Sequence, residues 1–418
     1  MIDINEPFST WLFRRDNVQK RCSVLDEAVF KHSTHIEDLV FTEGKSGVQK
    51  AIDGFKHIMN TIGKSSNVTE VQRKVDGAPA IVFGYLNDKF FVASKALFNK
   101  TPKINYTKED CDNNHEGNLA DVLKSALDYL PKVCPKGKIY QGDFVFSSSS
   151  RSSEKIDGVP FYTFQPNTIK YAVEEKSDLG KAIGSAKFGI VVHTEYKAKG
   201  PEVQDIELDN FDVSEDEFMK SADVWLTDTN HKDVSKIAPF QGKELSQLNS
   251  DMADALKLAG SIKFNEIKDI VDDLMTFVNT YIRDNRAMPD SDVMRGEFIN
   301  YIKAKMEKEL ASKKTDKAKE KVLATWSPKI ESAEKSKSLP KVFDLHKTLT
   351  AIKLTIINKL ESIKTLQTFL VKADGSLEVT GSEGYVLAQS SAKSCKLVDR
   401  YQFSKANFCK EYLKGWEH

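Results

Sequence analysis

Two short stretches set a lysine two residues ahead of Asp-Gly: KVDGAP at 74–79 and EKIDGVP at 154–160. Lys74 stands just before the apolar run AIVFG, at the mouth of what reads as a buried strand. A lysine is a nucleophile only after losing its proton, and burial or neighbouring positive charge lowers its pKa and makes that possible. Attack by such an amine on the α-phosphate of a nucleotide would give a lysine–nucleotide phosphoramidate. That chemistry needs cations against the phosphates, a carboxylate to hold a metal, and hydrogen-bonding groups for a ribose. The expected metal is oxygen-ligated Mg²⁺ or Mn²⁺, because the sequence has no cluster of soft ligands.

Elements around the two lysines separate them. After Lys74, AIVFGYLNDKFFVASK (80–95) has two apolar runs flanking Asn87-Asp88, which is turn chemistry and predicts a β-hairpin. An acid-bearing strand, KIYQGDFVF (138–146), follows with Asp143, then a buried-strand candidate, FGIVVHTEY (188–196). Lys155 instead follows SSSSRSSEK (147–155), a loop by composition. It precedes FYTFQPNTIKYAV, where Pro166 argues against a hairpin partner. EKIDGVP reads as a surface turn whose Asp-Gly supplies positive φ, with a substrate-contacting loop as the alternative. Lys74 is the expected nucleophile.

Residues 46–62 carry Val48, Ala51, Ile52, Phe55, Ile58, Met59 and Ile62 on one helical face, with Ser46 as the expected N-cap. The preceding EGKSG (43–47) is not a phosphate-binding loop, because position 39, where that pattern needs glycine, is Leu39. Residues 118–130 predict a second helix. From about 243 to 370 the pattern is helical almost throughout, and its aliphatic stripe at 342–370 reads as helix packing. Within it, KAKMEKELASKKTDKAKEKV (303–322) reads as a solvated helix or a mobile linker. Strand-like sequence resumes at 375–390 and runs into CKLVDRYQF. These shifts divide the chain into 1–242, a helical insertion at 243–372, and 373–418.

The ordered set resembles the covalent nucleotidyltransferases: ATP-dependent DNA ligases, RNA ligases and mRNA capping enzymes, and among them most closely the phage-type RNA ligases. The segments that carry the likeness are KVDGAP, IYQGDFVF, FGIVVHTEY, SEGYVLA (382–388) and SAKSCKLVDRYQFS (391–404). The resemblance implies an α+β fold, an antiparallel-sheet nucleotidyltransferase core with a large helical insertion. It implies ATP and Mg²⁺ or Mn²⁺ as cofactors, and a lysyl-AMP at Lys74. Asp76 and Gly77 would shape the loop and contact the ribose, and Lys95 would contact ribose or substrate. Asp143 would lie near ribose and metal, Glu383 would bind the metal, and Lys393 and Lys396 would reach the α-phosphate. This sequence departs from the family pattern in three places: Asp143 where glutamate is common, His193-Thr194 where an acid is common, and K-x-x-K for the usual K-x-K.

By this resemblance the activity is ATP-dependent polynucleotide ligation, with RNA the preferred strand and DNA the alternative. Only about twenty residues follow Lys396, which leaves no room for the C-terminal OB-fold of many DNA ligases and capping enzymes. Guanylyl transfer and a degenerate, nucleic-acid-binding ligase fold are the rival readings. Composition fits a protein working on nucleic acid through a local patch: 61 basic residues balance 61 acidic ones, yet residues 303–372 hold 17 lysines against 8 acids. That excess suits either a phosphate-backbone clamp or a solvated segment. No run of eighteen apolar residues exists and the N-terminus does not read as a secretory signal, so no membrane partner and a cytoplasmic location are expected. Five scattered cysteines without a C-x-x-C pair favour a reducing compartment. His32 and His35 read as polar surface rather than metal ligands.

Overall fold

The computed structural model describes residues 34–64, 71–211, 213–230, 232–362, 366–390, 393–408 and 411–415. Strand β1 (Thr34–His35) and a 3-10 turn (Ile36–Asp38) lead into α1 (Leu39–Thr42) and α2 (Gly44–Thr61). The apolar face expected for α2 is buried at every position from Val48 to Ile62. Its start differs from expectation. Ser46 is not the cap; the helix begins at Gly44 (φ +58°), and the Ser46 hydroxyl donates back to the Glu43 carbonyl at 2.8 Å. A Cβ on Gly47 would sit 2.0 Å from the Leu39 carbonyl oxygen, so close approach of α1 to α2 sets this elbow.

Strand β2 (Val71–Lys74) precedes the expected hairpin, β3 (Ala80–Leu86) and β4 (Lys89–Ala93). Asn87 and Asp88 both have positive φ, 51° and 60°, as a two-residue type I′ turn requires. Helices α3 (Lys108–Asn114) and α4 (Gly117–Tyr129) follow, then β5 (Ile139–Ser147). The next segment corrects the sequence reading twice. Residues 151–156 are strand β6, not loop, and they pair with β7 (Val159–Phe164), which pairs in turn with β8 (Lys170–Glu174). Asp157 (φ 51°) and Gly158 (φ 82°) make another type I′ turn, so the EKIDGVP motif is a hairpin tip. Pro166 did not prevent this, because it falls after β7 has ended. The chain continues through α5 (Asp178–Ser185), β9 (Phe188–Ala198), β10 (Ile206–Asn210) and β11 (Val224–Asp228).

The helical stretch is α6 (Gly242–Gly260), α7 (Val271–Arg283), α8 (Ser291–Ala311), α9 (Asp316–Lys335) and α10 (Leu339–Leu360). It ends earlier than the stripe predicted, because residues 367–372 form strand β12 (Gln367–Lys372). Ile363 lies outside the described residues. Of the two readings of 303–322, the structure takes the helical one: this stretch closes α8 and opens α9, and Trp326 donates to Glu309 at 2.9 Å across the pair. The chain then forms β13 (Leu377–Val379), β14 (Gly384–Ser390), β15 (Lys393–Leu397), α11 (Arg400–Phe408) and β16 (Tyr412–Leu413).

Among the described residues the fold is α+β with three sheets, ordered β1-β15-β14-β2, then β10-β9-β5-β3-β4 with β11 beside β9, then β13-β12-β8-β7-β6 with β16 beside β12. All pairings are antiparallel except β1–β15 and β11–β9. The first sheet joins β1 and β2, early in the chain, to β14 and β15, late in it, and thereby brings residue 74 to residue 384. One apolar cluster runs from Ile36 through α2 and the helices to Tyr385, Leu387 and Leu397. The helices at 242–360 therefore share their core with α2 and the first sheet. No helix among the described residues is long and apolar enough to cross a membrane.

Candidate functional site

Lys74 is the last residue of β2 and lies opposite Gly384, the first residue of β14. Glu383, one position earlier, forms an ion pair with the Lys74 ammonium across 309 residues of sequence. Lys74 remains 31% exposed while Glu383 is 5% exposed, so the pair is open on the lysine side. The second Glu383 oxygen, Oε2, is buried and has no hydrogen-bond partner. Such an orphan is costly and calls for an occupant. A hard divalent cation is the chemical type that an unpartnered carboxylate oxygen would accept, but among the described residues the group of three ligand side chains close enough to share an ion is Glu37, Asp38 and His346, not one around Glu383.

Electrostatics follow from this packing. Burial works to lower the Lys74 pKa, but the carboxylates of Glu383, Asp143 and Asp76 outweigh it and hold the ammonium above its ordinary value. Burial pushes Glu383 up to about 7 against the pull of Lys74, with Asp76 and Asp143 adding to the rise. Lys396 goes the other way: burial and the charges of Lys74 and Lys95 lower it, with Glu383 opposing. One carboxyl titrating near neutrality and one depressed lysine thus border one charged lysine.

Lys396 pairs with Val386 in the β14–β15 ladder, two positions along from Gly384. Lys393 opens β15 opposite Ser390, at the far end of that ladder. The charge of Lys396 is felt in the Lys74 neighbourhood. Lys95 opens a 3-10 turn after β4 (Lys95–Phe98); it is exposed, and its charge is felt at Lys396.

Asp76 is 3% exposed and fully engaged. It accepts from Asn167 Nδ2 at 2.6 Å and from the backbone amides of Thr168 and Ile169 at 2.8 and 2.9 Å, while its own amide donates to Tyr171 at 2.7 Å. This carboxylate ties the K-V-D-G turn to the connection between β7 and β8. Gly77 lets β5 come close, since a Cβ there would stand 2.6 Å from the Asp143 Cβ. Asp143, on β5 opposite Ala80, is therefore pressed against the turn that follows Lys74. His193 Nε2 lies 3.6 Å from Asp143 Oδ2. Lys155 is exposed on the β6–β7 hairpin.

Three features escaped the sequence reading. Glu361, just past α10, accepts from the Ser382 and Tyr385 hydroxyls, the latter at 2.7 Å, and so brackets Glu383. A second buried ion cluster joins Glu37 and Asp38 to His346 and Lys353 of α10 and Arg400 of α11. Three of its side chains could ligate a metal, but Lys353 and Arg400 already neutralise both carboxylates. His35, expected at the surface, is half-buried with Nδ1 sealed, and burial together with Arg400 lowers its pKa to about 4. No local pattern could reveal the ion cluster, because Glu37 and Asp38 lie more than 300 residues from His346, Lys353 and Arg400, while Glu361 meets Ser382 and Tyr385 only after the chain has turned through β12 and β13; His32 lies outside the described residues.

The model of a family described as "Family of unknown function (DUF6267)" matches residues 30–412, and the chain belongs to that family. Neither the curated proteins nor the solved structures contain a match.

Proposed function

We propose that this DUF6267 member is a lysine nucleotidyltransferase, and within that class an ATP-dependent polynucleotide ligase acting on RNA ends. The supporting observation is the meeting of Lys74 with Glu383, with Lys396 and Asp143 beside them, at a junction of two sheets. Solitary surface turns do not assemble a lysine with a buried orphan carboxylate and a depressed lysine from two regions some 300 residues apart. Perturbed titratable groups gathered in one place favour a chemical role over a structural one.

In this reading the Lys74 amine attacks the α-phosphorus of ATP; a P–N bond forms and the P–O bond to pyrophosphate breaks. The ammonium must first lose its proton, and Glu383, the carboxylate in contact with it, is the acceptor. Positive charge at Lys396 and Lys95 favours the developing charge on the phosphate. A divalent cation held by Glu383 and Asp143 would neutralise phosphate charge. In the second transfer the P–N bond breaks and AMP joins the 5′-phosphate of a strand. A 3′-hydroxyl then attacks that phosphate and AMP leaves. Lys314, Lys317 and Lys321, exposed where α8 turns into α9, supply positive charge suited to a nucleic-acid backbone.

The test is covalent labelling. The protein is incubated with α-³²P-ATP or α-³²P-GTP and Mg²⁺ or Mn²⁺ and run on a denaturing gel beside Lys74→Ala and Lys155→Ala. An acid-labile label from ATP, absent only in Lys74→Ala, is expected. A label from GTP alone would make the protein a guanylyltransferase. No label with either nucleotide or metal on folded, nucleotide-free protein would leave Lys74 as an ordinary turn residue.

A further inference from the structure

We propose that Glu361 is the positioning residue that holds Glu383 against Lys74, and so carries the packing of the helices at 242–360 into the lysine site. The inference rests on the reading above only in treating the Lys74–Glu383 pair as the place of nucleotide transfer.

The argument starts from how Glu383 is supported. It stands one residue before β14, so the ladder with β2 begins only at Gly384. Gly384 has a φ of 142°, and a Cβ there would stand 2.5 Å from the Leu397 carbonyl oxygen. Close approach of β15 therefore requires glycine at this position, and glycine is the residue that restrains its neighbours least. The direction in which Glu383 leaves the strand has to be set from elsewhere.

Glu361 sets it from both sides. Its Oε1 accepts from the Ser382 hydroxyl and, at 2.7 Å, from the Tyr385 hydroxyl, while its Oε2 accepts from the Ser382 amide at 3.3 Å. Residues 382 and 385 flank the Glu383-Gly384 step, so one carboxylate ties its two ends together. Tyr385 is 1% exposed and lies opposite Arg73, as Gly384 lies opposite Lys74. The contact that fixes Glu383 thus also fixes the end of β2 that carries the lysine. Burial and the Glu361 charge both raise the Tyr385 phenol, so it stays protonated and keeps donating.

The other end of this tie is rigid. Glu361 directly follows α10, whose last residue, Leu360, is fully buried in the cluster shared with α2 and the first sheet. A helix C-terminus favours cations, so an acid there is placed against the dipole of its own helix. The hydrogen bonds to Ser382 and Tyr385 offset that cost. Bonds to an ionised acceptor are roughly twice as strong as neutral ones, so an amide at 361 would be a poorer tie.

The experiment compares full-length wild type with Glu361→Gln, Glu361→Ala and Tyr385→Phe by trace acetylation with acetic anhydride, without nucleotide. Mass spectrometry reads each lysine across the pH range in which amines titrate. Acetylation reports the free amine, and in wild type Glu383 holds the Lys74 ammonium charged. Freeing Glu383 should raise Lys74 acetylation at least about fivefold in Glu361→Ala, and less in the two milder variants. Exposed Lys155 and buried Lys353 should not change. The rate of labelling by α-³²P-ATP should move the opposite way, falling at least about tenfold in Glu361→Ala. Glu361→Gln combined with Tyr385→Phe should do no more than the worse single change, because both cut one contact. Thermal melts verify folding, and Tyr385→Phe, which removes one hydroxyl, serves if the changes at 361 unfold the chain. Unchanged Lys74 acetylation in folded variants, additive effects in the double variant, or a rise shared by Lys353 would each overturn the inference. A wild-type label that Glu361→Gln and Tyr385→Phe leave unchanged would sink it too, with the nucleotidyl-transfer reading intact. No label on wild type would sink that reading, and Lys74 acetylation would still decide the role of Glu361.

Discussion

Two lysine–glutamate pairs cross the molecule over almost the same sequence distance, 309 residues for Lys74–Glu383 and 316 for Lys353–Glu37. They are built to opposite ends. Lys353 and Glu37 are each 1% exposed, 2.5 Å apart. Around them Arg400 holds Asp38 at 3.0 Å, and His346 holds the same carboxylate at 3.1 Å. Two acids meet two permanent cations, and the charges cancel inside a sealed core. Each glutamate keeps one buried oxygen, Oε2, without a partner, and charges shift the groups at both places; what differs is that Lys74 is 31% exposed, so its pair opens to solvent, and that the Glu383 carboxyl is raised where Glu37 is lowered. A balanced pair holds the fold; an unbalanced one at an opening is poised to exchange its partner.

The largest effect should separate them by stability. Lys353→Met leaves Glu37 buried beside an incomplete set of cations, and breaking one side of a buried pair costs about 3–5 kcal/mol. Lys74→Met leaves Glu383 able to neutralise itself by taking a proton, so it should change stability by less than ~1 kcal/mol. Urea unfolding of both variants at pH 7 reads the difference. Equal losses would erase the distinction drawn between the pairs.

A second effect is a difference in pH slope. Glu383 has a folded pKa of about 7, above its unfolded value of about 4.3, so the folded state binds more protons between them. Stability from this group therefore falls as pH rises from about 4.3 to 7, by up to ~3 kcal/mol. Glu37 and Asp38 behave oppositely. Burial favours their neutral forms, but Lys353 and Arg400 at Glu37, and His346 and Arg400 at Asp38, pull both below the ordinary carboxylate range. Their contribution is present above pH ~4 and is lost as pH falls through their lowered values. Relative to wild type, Glu383→Gln should gain stability from pH 5 to pH 8, measured by urea midpoints. A parallel pair of pH profiles would show that the Glu383 carboxyl is not raised.

How much of this the sequence disclosed depends on the range of the interaction. Asn87-Asp88 and Asp157-Gly158 are local turn chemistry, and the first hairpin was legible from four residues. The second is not legible in the same way: serine-rich 147–155 reads as loop and Pro166 argues against a partner strand, although cross-strand pairing decides strand formation. The α10 stripe was legible to Leu360, but helix and strand share apolar runs, so β12 was absorbed into it. Of the eight positions that the resemblance implies, the structure groups Lys74, Asp76, Gly77, Asp143, Glu383 and Lys396, while Lys95 lies exposed after β4 and Lys393 opens β15 at the far end of its ladder. The saturation of Asp76 by residues 167–169 was invisible, as was the Glu37–Asp38–Arg400 cluster. Both depend on pairings that no sequence period encodes.

An intermediate effect tests the fit of the K-V-D-G turn. Gly77→Ala would drive a methyl to 2.6 Å from the Asp143 Cβ and 2.9 Å from the Phe144 carbonyl oxygen, so β5 or the turn must move. Such overpacking costs about 1–3 kcal/mol, and the displacement falls on Lys74 and Asp143 together. Nucleotide labelling should fall further than stability does, because sub-ångström misplacement penalises a reaction more than a fold. Labelling that survives Gly77→Ala unchanged would detach the turn from the chemistry.

The smallest effect belongs to the second K-x-D-G. Lys155 repeats the motif of Lys74, yet it is exposed on a two-stranded hairpin and lies opposite Pro160. Among the described residues no ion pair holds it, and an exposed strand position tolerates substitution within about 0.5 kcal/mol. Lys155→Ala should therefore leave both the urea midpoint and the nucleotide label at wild-type values. The motif by itself would then carry neither stability nor chemistry. What differs at Lys74 is the strand β14 beside it, which supplies Glu383, and the glycine that lets Asp143 close in. Loss of label in Lys155→Ala at unchanged stability would move the chemistry to the hairpin and break the contrast on which the site assignment stands.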